Sequence, residues 1–152
     1  MSYFEKQAVN SRTCVLCALN NCLQSKLASA QELDTIATRL AVVEASSQKK
    51  THKTVADYYH RLSKSGFEGG WSIKIVRKFL ENHRIAFEWD VPINDPMKDL
   101  SLGRFFIRTR MGTAKHAIAI VNGMLFDSLK EQPVPWTGDP SYTILLACRV
   151  LV

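Results

Sequence analysis

The chain has 152 residues, 46% hydrophobic and 22% charged, the size and make-up of one typical domain able to bury its own core. No apolar run approaches the roughly 20 residues of a membrane span, and the opening MSYFEKQ lacks the apolar centre of a signal peptide. Of the four cysteines, Cys14, Cys17 and Cys22 crowd onto one expected helix with Cys148 far away, a poor disulfide framework. Reduced thiols and an intracellular location (cytoplasm, nucleus or both) are therefore expected. The net charge of +6 gathers at Lys49, Lys50, Lys53, Arg61 and Lys64, then at Lys74, Arg77, Lys78 and Arg84. Such patches suit nucleic acid, an anionic membrane or an acidic protein surface. Aromatic residues do not interleave with the charges as a single-strand surface needs, and no nucleic-acid motif is present. A solvated helix face is the plainer reading, and an acidic partner for segment 49–64 the functional one.

In chain order, Val15, Leu16, Leu19 and Leu23 recur at helical spacing and predict a helix over Thr13–Leu23. Ser29-Ala-Gln-Glu32 forms a capping box for a second helix, which carries Leu33, Ile36, Ala37 and Leu40 inward. A polar stretch, SSQKKTHK, separates it from a third helix holding Val55, Tyr58, Tyr59 and Leu62 and ending at Gly66–Gly70. A fourth runs from Ser72 to Asn82 with Ile73, Val76, Phe79 and Leu80 facing inward. The period then changes. Ile85–Val91 reads as extended and Pro92–Asp99 as a loop. The segments Arg104–Thr109, His116–Val121, Met124–Asp127 and Thr143–Leu151 are rich in β-branched and aromatic residues and read as strands. Helices followed by an antiparallel sheet make an α+β fold, and no domain boundary or repeat interrupts residues 1–152.

One stretch couples this architecture to chemistry. Asn122-Gly123 between two apolar runs is the signature of a type I′ hairpin, whose central residues both need positive φ. That turn pairs Val121 with Met124, Ile120 with Leu125, Ala119 with Phe126, Ile118 with Asp127 and His116 with Leu129. Side chains alternate along a strand, so His116 and Asp127 are diagonal neighbours on one face, with Cβ atoms about 7–8 Å apart or less. A carboxylate and an imidazole can meet across that gap. Cys14 stands at the expected start of the first helix, where Asn10, Ser11 or Thr13 could cap and the positive end of the helix dipole favours thiolate. Cys14, His116 and Asp127 thus supply a nucleophile, a base and the acid that orients the base. Gln7 offers an amide that could donate to a developing oxyanion beside the Cys14 backbone N–H, although on its own it reads as a surface residue.

The run Tyr3-Phe-Glu-Lys-Gln7, then Cys14, Leu19-Asn-Asn21 and Leu23-Gln24 resembles the start of the Josephin domain of ataxin-3-type deubiquitinating cysteine proteases. Glu32-Leu33, Ile36-Ala37 and Leu40 are similar to the family's second helix, and Gly70-Trp71-Ser72-Ile73 to its lead-in to the fourth. His116 and Phe126-Asp127-Ser128-Leu129 resemble its catalytic histidine and Asn/Asp strand. The resemblance implies a papain-like fold, Cys14 as nucleophile, His116 as general base and acid, Asp127 as its orienter, Gln7 as oxyanion-hole donor, and ubiquitin or ubiquitinated proteins as partners. This chain departs from the pattern in a longer gap between Gln7 and Cys14, in Cys17 where the family often has histidine, and in a basic rather than acidic Ser46–Lys64 arm.

Other readings compete. Cys14-Val-Leu-Cys17 could be a redox pair, but no preceding strand builds the βαβ unit it needs. A zinc site would require a second ligand pair, and His52 and His60 lie too far apart to supply one, so no metal or other cofactor is expected. The remaining rivals are a papain-like protease for another peptide or ubiquitin-like modifier, and an inactive module that binds ubiquitin or another protein. The co-occurrence of Cys14, His116 and Asp127 argues against the last.

Overall fold

A computed structural model describes residues 3–7, 13–47, 54–64 and 71–152. Asn10, Ser11, Lys49, Lys50, Lys53 and the Gly66–Gly70 helix stop lie outside the described residues. Four helices come first: α1 (Cys14–Leu23), α2 (Ala30–Ser47), α3 (Val55–Lys64) and α4 (Ile73–Asn82). After them come β1 (Phe87–Glu88), α5 (Pro96–Asp99), β2 (Arg104–Met111), β3 (Ala114–Val121), β4 (Met124–Phe126), β5 (Val134–Pro135) and β6 (Thr143–Val150). The strands form one antiparallel sheet in the order β1-β6-β2-β3-β4-β5. The architecture is α+β, with helices preceding an antiparallel sheet.

The sheet buries both faces, because successive residues of its central strands point in opposite directions. Phe106, Ala117, Ala119 and Cys148 face the helices and pack with Val15, Leu19, Ile75 and Phe79. Phe105, Ile107, Ile118 and Ile120 face the other way and close a second core with Leu100, Leu125, Trp136 and Tyr142. Each large apolar side chain so buried contributes about 1.5–3 kcal/mol. The alternation of small and large residues in Ala117-Ile-Ala-Ile120 has a positional consequence. Alanines on the helix side let α1 lie close over β3, so the start of α1 comes down beside the start of β3.

The hairpin forms with the expected register: Val121 opposite Met124, Ile120 opposite Leu125, Ala119 opposite Phe126, with Asn122 at φ 48° and Gly123 at φ 79°. Elsewhere the boundaries move for local reasons. Within the extended stretch Ile85–Val91 the ladder with β6 covers Phe87–Glu88; Asp90 turns to a left-handed φ of 57°, and Val91 then makes a single further bond, its N–H to the Ala147 carbonyl at 2.8 Å. The expected loop Pro92–Asp99 contains the one-turn helix α5, capped by Asp95, whose carboxylate accepts from the N–H groups of Met97 and Lys98. β2 and β3 run on to Met111 and Ala114, around a turn where Gly112 takes φ 64°. Short β5 is an edge strand and holds a proline, which masks its sequence signal. In α4, Ile75 rather than Ile73 fills the core.

The capping box at Ser29 forms in one direction, with the Ser29 hydroxyl accepting from the Glu32 N–H at 3.2 Å. The Glu32 carboxylate turns to His83 instead, at 2.6 Å. Basic residues of α4 lie on a solvated face: Lys74 pairs with Glu44, Arg77 and Lys78 with Glu81, and the Arg77 guanidinium sits over Trp89. No helix among the described residues is long and apolar enough to cross a membrane.

Candidate active site

The site is assembled from three elements, the first being the start of α1. Thr13 takes the N-cap position but makes no cap bond with its side chain; its hydroxyl lies 3.8 Å from the Cys17 sulfur. Cys14 opens the helix and is 0% exposed, so a substrate carbonyl reaches it only when the atoms above it give way. Asn20, Asn21 and Gln24 stitch the N-terminal segment along this helix. The Asn21 side chain accepts from the Glu5 N–H at 2.6 Å and donates to the Glu5 carbonyl at 3.1 Å. Gln24 makes the same two-way contact with the backbone of Tyr3, and Asn20 donates to the Glu5 carboxylate. Such paired bonds hold an extended segment in one register, and they lead the chain to Gln7.

The second element is the β3–β4 hairpin. His116 Nε2 lies 2.8 Å from Asp127 Oδ1, with both side chains buried. Cys14 is near enough to the ring to contribute to its raised proton affinity. With Nε2 committed to the carboxylate, Nδ1 is the nitrogen left to the thiol. Asp127 is held by two further donors, the Leu129 N–H at 3.0 Å to Oδ1 and the Tyr142 hydroxyl at 2.6 Å to Oδ2. The diagonal contact of His116 with Asp127 across the hairpin is therefore made. Beside the ring, Met111, Ala114 and Leu129 line a largely apolar hollow of about 190 Å³.

The electrostatics follow from this geometry. Burial alone would push His116 down, but its hydrogen bonds to Asp127 and Cys14, with their charges, overcome that and raise it to about 9. Burial works against ionised Asp127 as well, yet the bonds from His116, Tyr142 and Leu129 hold its carboxyl below the ordinary carboxylate value. The imidazolium and the carboxylate therefore stabilise one another.

Gln7 is buried, and its backbone N–H donates to the Ser128 carbonyl at 2.8 Å. The Ser128 hydroxyl donates to Gln7 Oε1 at 3.1 Å, which fixes Nε2 as the opposite, donating end of the amide. Gln7 is therefore no surface residue; it is fastened to the loop that carries Asp127. Ser128 and Tyr142 are the two residues whose parts here were not legible in sequence. Ser128 follows Asp127 directly but has no pattern of its own, and Tyr142 arrives from a turn in which its N–H bonds the Asp139 carbonyl at 3.2 Å. Removing the Tyr142 hydroxyl as Tyr142→Phe takes a donor from a buried carboxylate, worth about 1.5–3 kcal/mol. Urea denaturation should show a loss in that range, and hydrolysis should slow several-fold without a change in KM. Unaltered values would make the contact incidental.

The other thiols stand apart. Burial pushes Cys17 up to about 12, despite the bond with Thr13, and Cys148 likewise to about 12; burial also raises Cys22. A thiol so shifted is protonated and inert near neutrality. Cys17→Ala should therefore retain most turnover in a steady-state assay, and a collapse would move the nucleophile to Cys17. Among the described residues no group of three or more His, Cys, Asp or Glu side chains is placed to hold a metal ion.

A cysteine at a helix start, coupled to a His–Asp pair on an antiparallel sheet, contains the parts of a cysteine-nucleophile site. Comparison with protein families agrees: the Josephin model matches residues 9–105, and the chain belongs to the Josephin family, a family of deubiquitinating cysteine proteases. The match includes Cys14 and ends within β2, so the parts given to His116 and Asp127 rest on the geometry above. No curated protein matches the chain.

Proposed function

We propose that the chain is a thiol-dependent hydrolase of ubiquitin conjugates, built on a papain-like variant of the α+β fold and cutting after the C-terminal glycine of ubiquitin. The observation that carries this reading is the series Cys14, His116, Asp127 at the junction of α1 and the β3–β4 hairpin, in a chain of this family. The Cys14 thiolate, paired with the His116 imidazolium, attacks the carbonyl that joins glycine to lysine. Charge on the carbonyl oxygen is received by the Cys14 backbone N–H and the Gln7 amide. The C–N bond breaks as His116 gives its proton to the departing amine. His116, now neutral, takes a proton from water, whose oxygen attacks the thioester and releases the glycine carboxylate and the thiol. Asp127 keeps the ring turned toward Cys14 throughout.

The direct test is a ubiquitin bearing a C-terminal electrophile, followed by intact-mass measurement. An adduct on wild type and none on Cys14→Ala supports both the nucleophile and ubiquitin as substrate. Rapid alkylation of Cys14 by a small reagent with no ubiquitin adduct would keep the nucleophile and discard ubiquitin, turning the search to other peptides or modifiers.

The same pair sets a pH dependence. His116 binds its proton more tightly in the folded state, with its value raised from 6.5 to about 9. The stability it contributes is complete below pH 6.5 and drains away as pH rises through about 9. Activity that requires the imidazolium falls over the same upper limb. Unfolding midpoints and kcat/KM measured across this range should decline together, and Asp127→Asn should shift the decline to lower pH.

A further inference from the structure

Between the start of α4 and the sheet the structure holds a second concave feature that the proposed chemistry does not use. A cavity of about 360 Å³ is lined by Ser72, Ile73, Arg108, Lys115, Leu145 and Leu146. Arg108 is only 8% exposed, and its Nη1 is sealed from solvent with no hydrogen-bond partner among the described residues. Lys115 lies on the same face one diagonal step away, since Arg108 pairs with Ala117 and Arg110 with Lys115. Ser72 and Ile73 are the N-cap and first residue of α4, so the positive end of that helix dipole faces the same space. No carboxylate among the described lining residues balances these charges. Burial disfavours the charged form of Arg108. A buried guanidinium with an idle donor is costly, and three converging positive groups call for an oxyanion.

We infer that the cavity between the start of α4 and strands β2, β3 and β6 is an anion-binding site for a carboxylate or phosphate group, with Arg108 and Lys115 as its ligands. The inference concerns binding alone and does not require ubiquitin to be the substrate.

Inorganic sulfate is the probe, added at constant ionic strength against sodium chloride while the melting midpoint is followed. Sulfate stabilises proteins generally, so the comparison with variants isolates the site. Wild type should show a saturable rise beyond the general effect. Arg108→Gln should lose it, with apparent affinity at least roughly tenfold weaker. Lys115→Ala changes an exposed residue and should keep the fold while weakening sulfate several-fold. Identical sulfate responses in wild type and Lys115→Ala, or no saturable response in any of them, would overturn the site.

The source of the anion is read in a second arm, the rate of labelling by the ubiquitin electrophile. Competitive slowing by sulfate, absent in Lys115→Ala, assigns the group to the incoming polypeptide. An unchanged rate assigns it to a free anion. Failure of the electrophile to label at all would count against the ubiquitin reading and leave the sulfate result standing.

Discussion

Cys14→Ala is expected to abolish turnover and adduct formation while leaving the fold in place. The sulfur is the atom that would bond to the substrate carbonyl, and no other thiol is poised to replace it: Cys17 is pushed up to about 12 by burial and sits against Glu5 rather than His116. Removing one buried sulfur costs on the order of 1 kcal/mol in lost packing, a modest share of a typical domain's 5–15 kcal/mol. Circular dichroism and the melting midpoint should therefore stay close to wild type while activity drops below detection. Residual turnover above the uncatalysed rate would mean that Cys14 is not the nucleophile. A protein that failed to fold would instead mean that the packing of Cys14 at the head of α1 matters far more than one atom should.

His116→Ala has the second largest expected effect, and it acts on activity and stability together. Loss of a general acid–base costs about 10²–10⁴-fold in rate. The same substitution strands Asp127, a buried carboxylate, with only Tyr142 and the Leu129 N–H for company. Breaking a buried pair from one side costs about 3–5 kcal/mol, and the two surviving donors place this case at the lower end. Asp127→Ala strands an imidazole instead, which can shed its proton and become neutral, so it should be milder in stability as well as in rate. The double variant should recover part of the stability lost in His116→Ala, with no recovery of activity. Hydrolysis rates and urea midpoints for the set check both claims. Equal rate losses for the two single variants would give Asp127 a more direct part than orienting the ring.

The occlusion of Cys14 bears on both experiments. Since the thiol has no exposed surface, the rate of its alkylation reports how readily its cover yields, and a slow reaction does not by itself speak against the nucleophile.

Local signals in the sequence carried a good deal of this structure. The Asn122-Gly123 turn determined the β3–β4 register, because only a left-handed pair of residues closes a two-residue hairpin with the right twist. That register in turn brought His116 to Asp127. Apolar spacing placed α1, α2, α3 and α4 within a few residues, because a 3.6-residue period must bury one stripe. The position of Cys14 at the head of α1 followed from the same period. Where prediction missed, the cause was a backbone event without a residue pattern: Asp90 bending out of the β1 strand, Asp95 capping a single turn, a proline riding on edge strand β5.

Tertiary structure decided the rest, since it alone sets which distant segments meet. The amides of Asn21 and Gln24 bind the backbone of Glu5 and Tyr3, and Asn20 donates to the Glu5 carboxylate, and together they lead the chain to Gln7. Tyr142 becomes a support of Asp127 only because the chain returns through the turn before β6. Arg108 carries no signal of its own in strand β2, and burial makes it a guanidinium with an idle donor. Sequence periodicity reports which face of an element is apolar; it cannot report what covers that face. The pair at the heart of the site was legible because its two members are eleven residues apart on one hairpin. Cys14, the Gln7–Ser128 contact and the neighbouring cavity come from segments that only packing brings together.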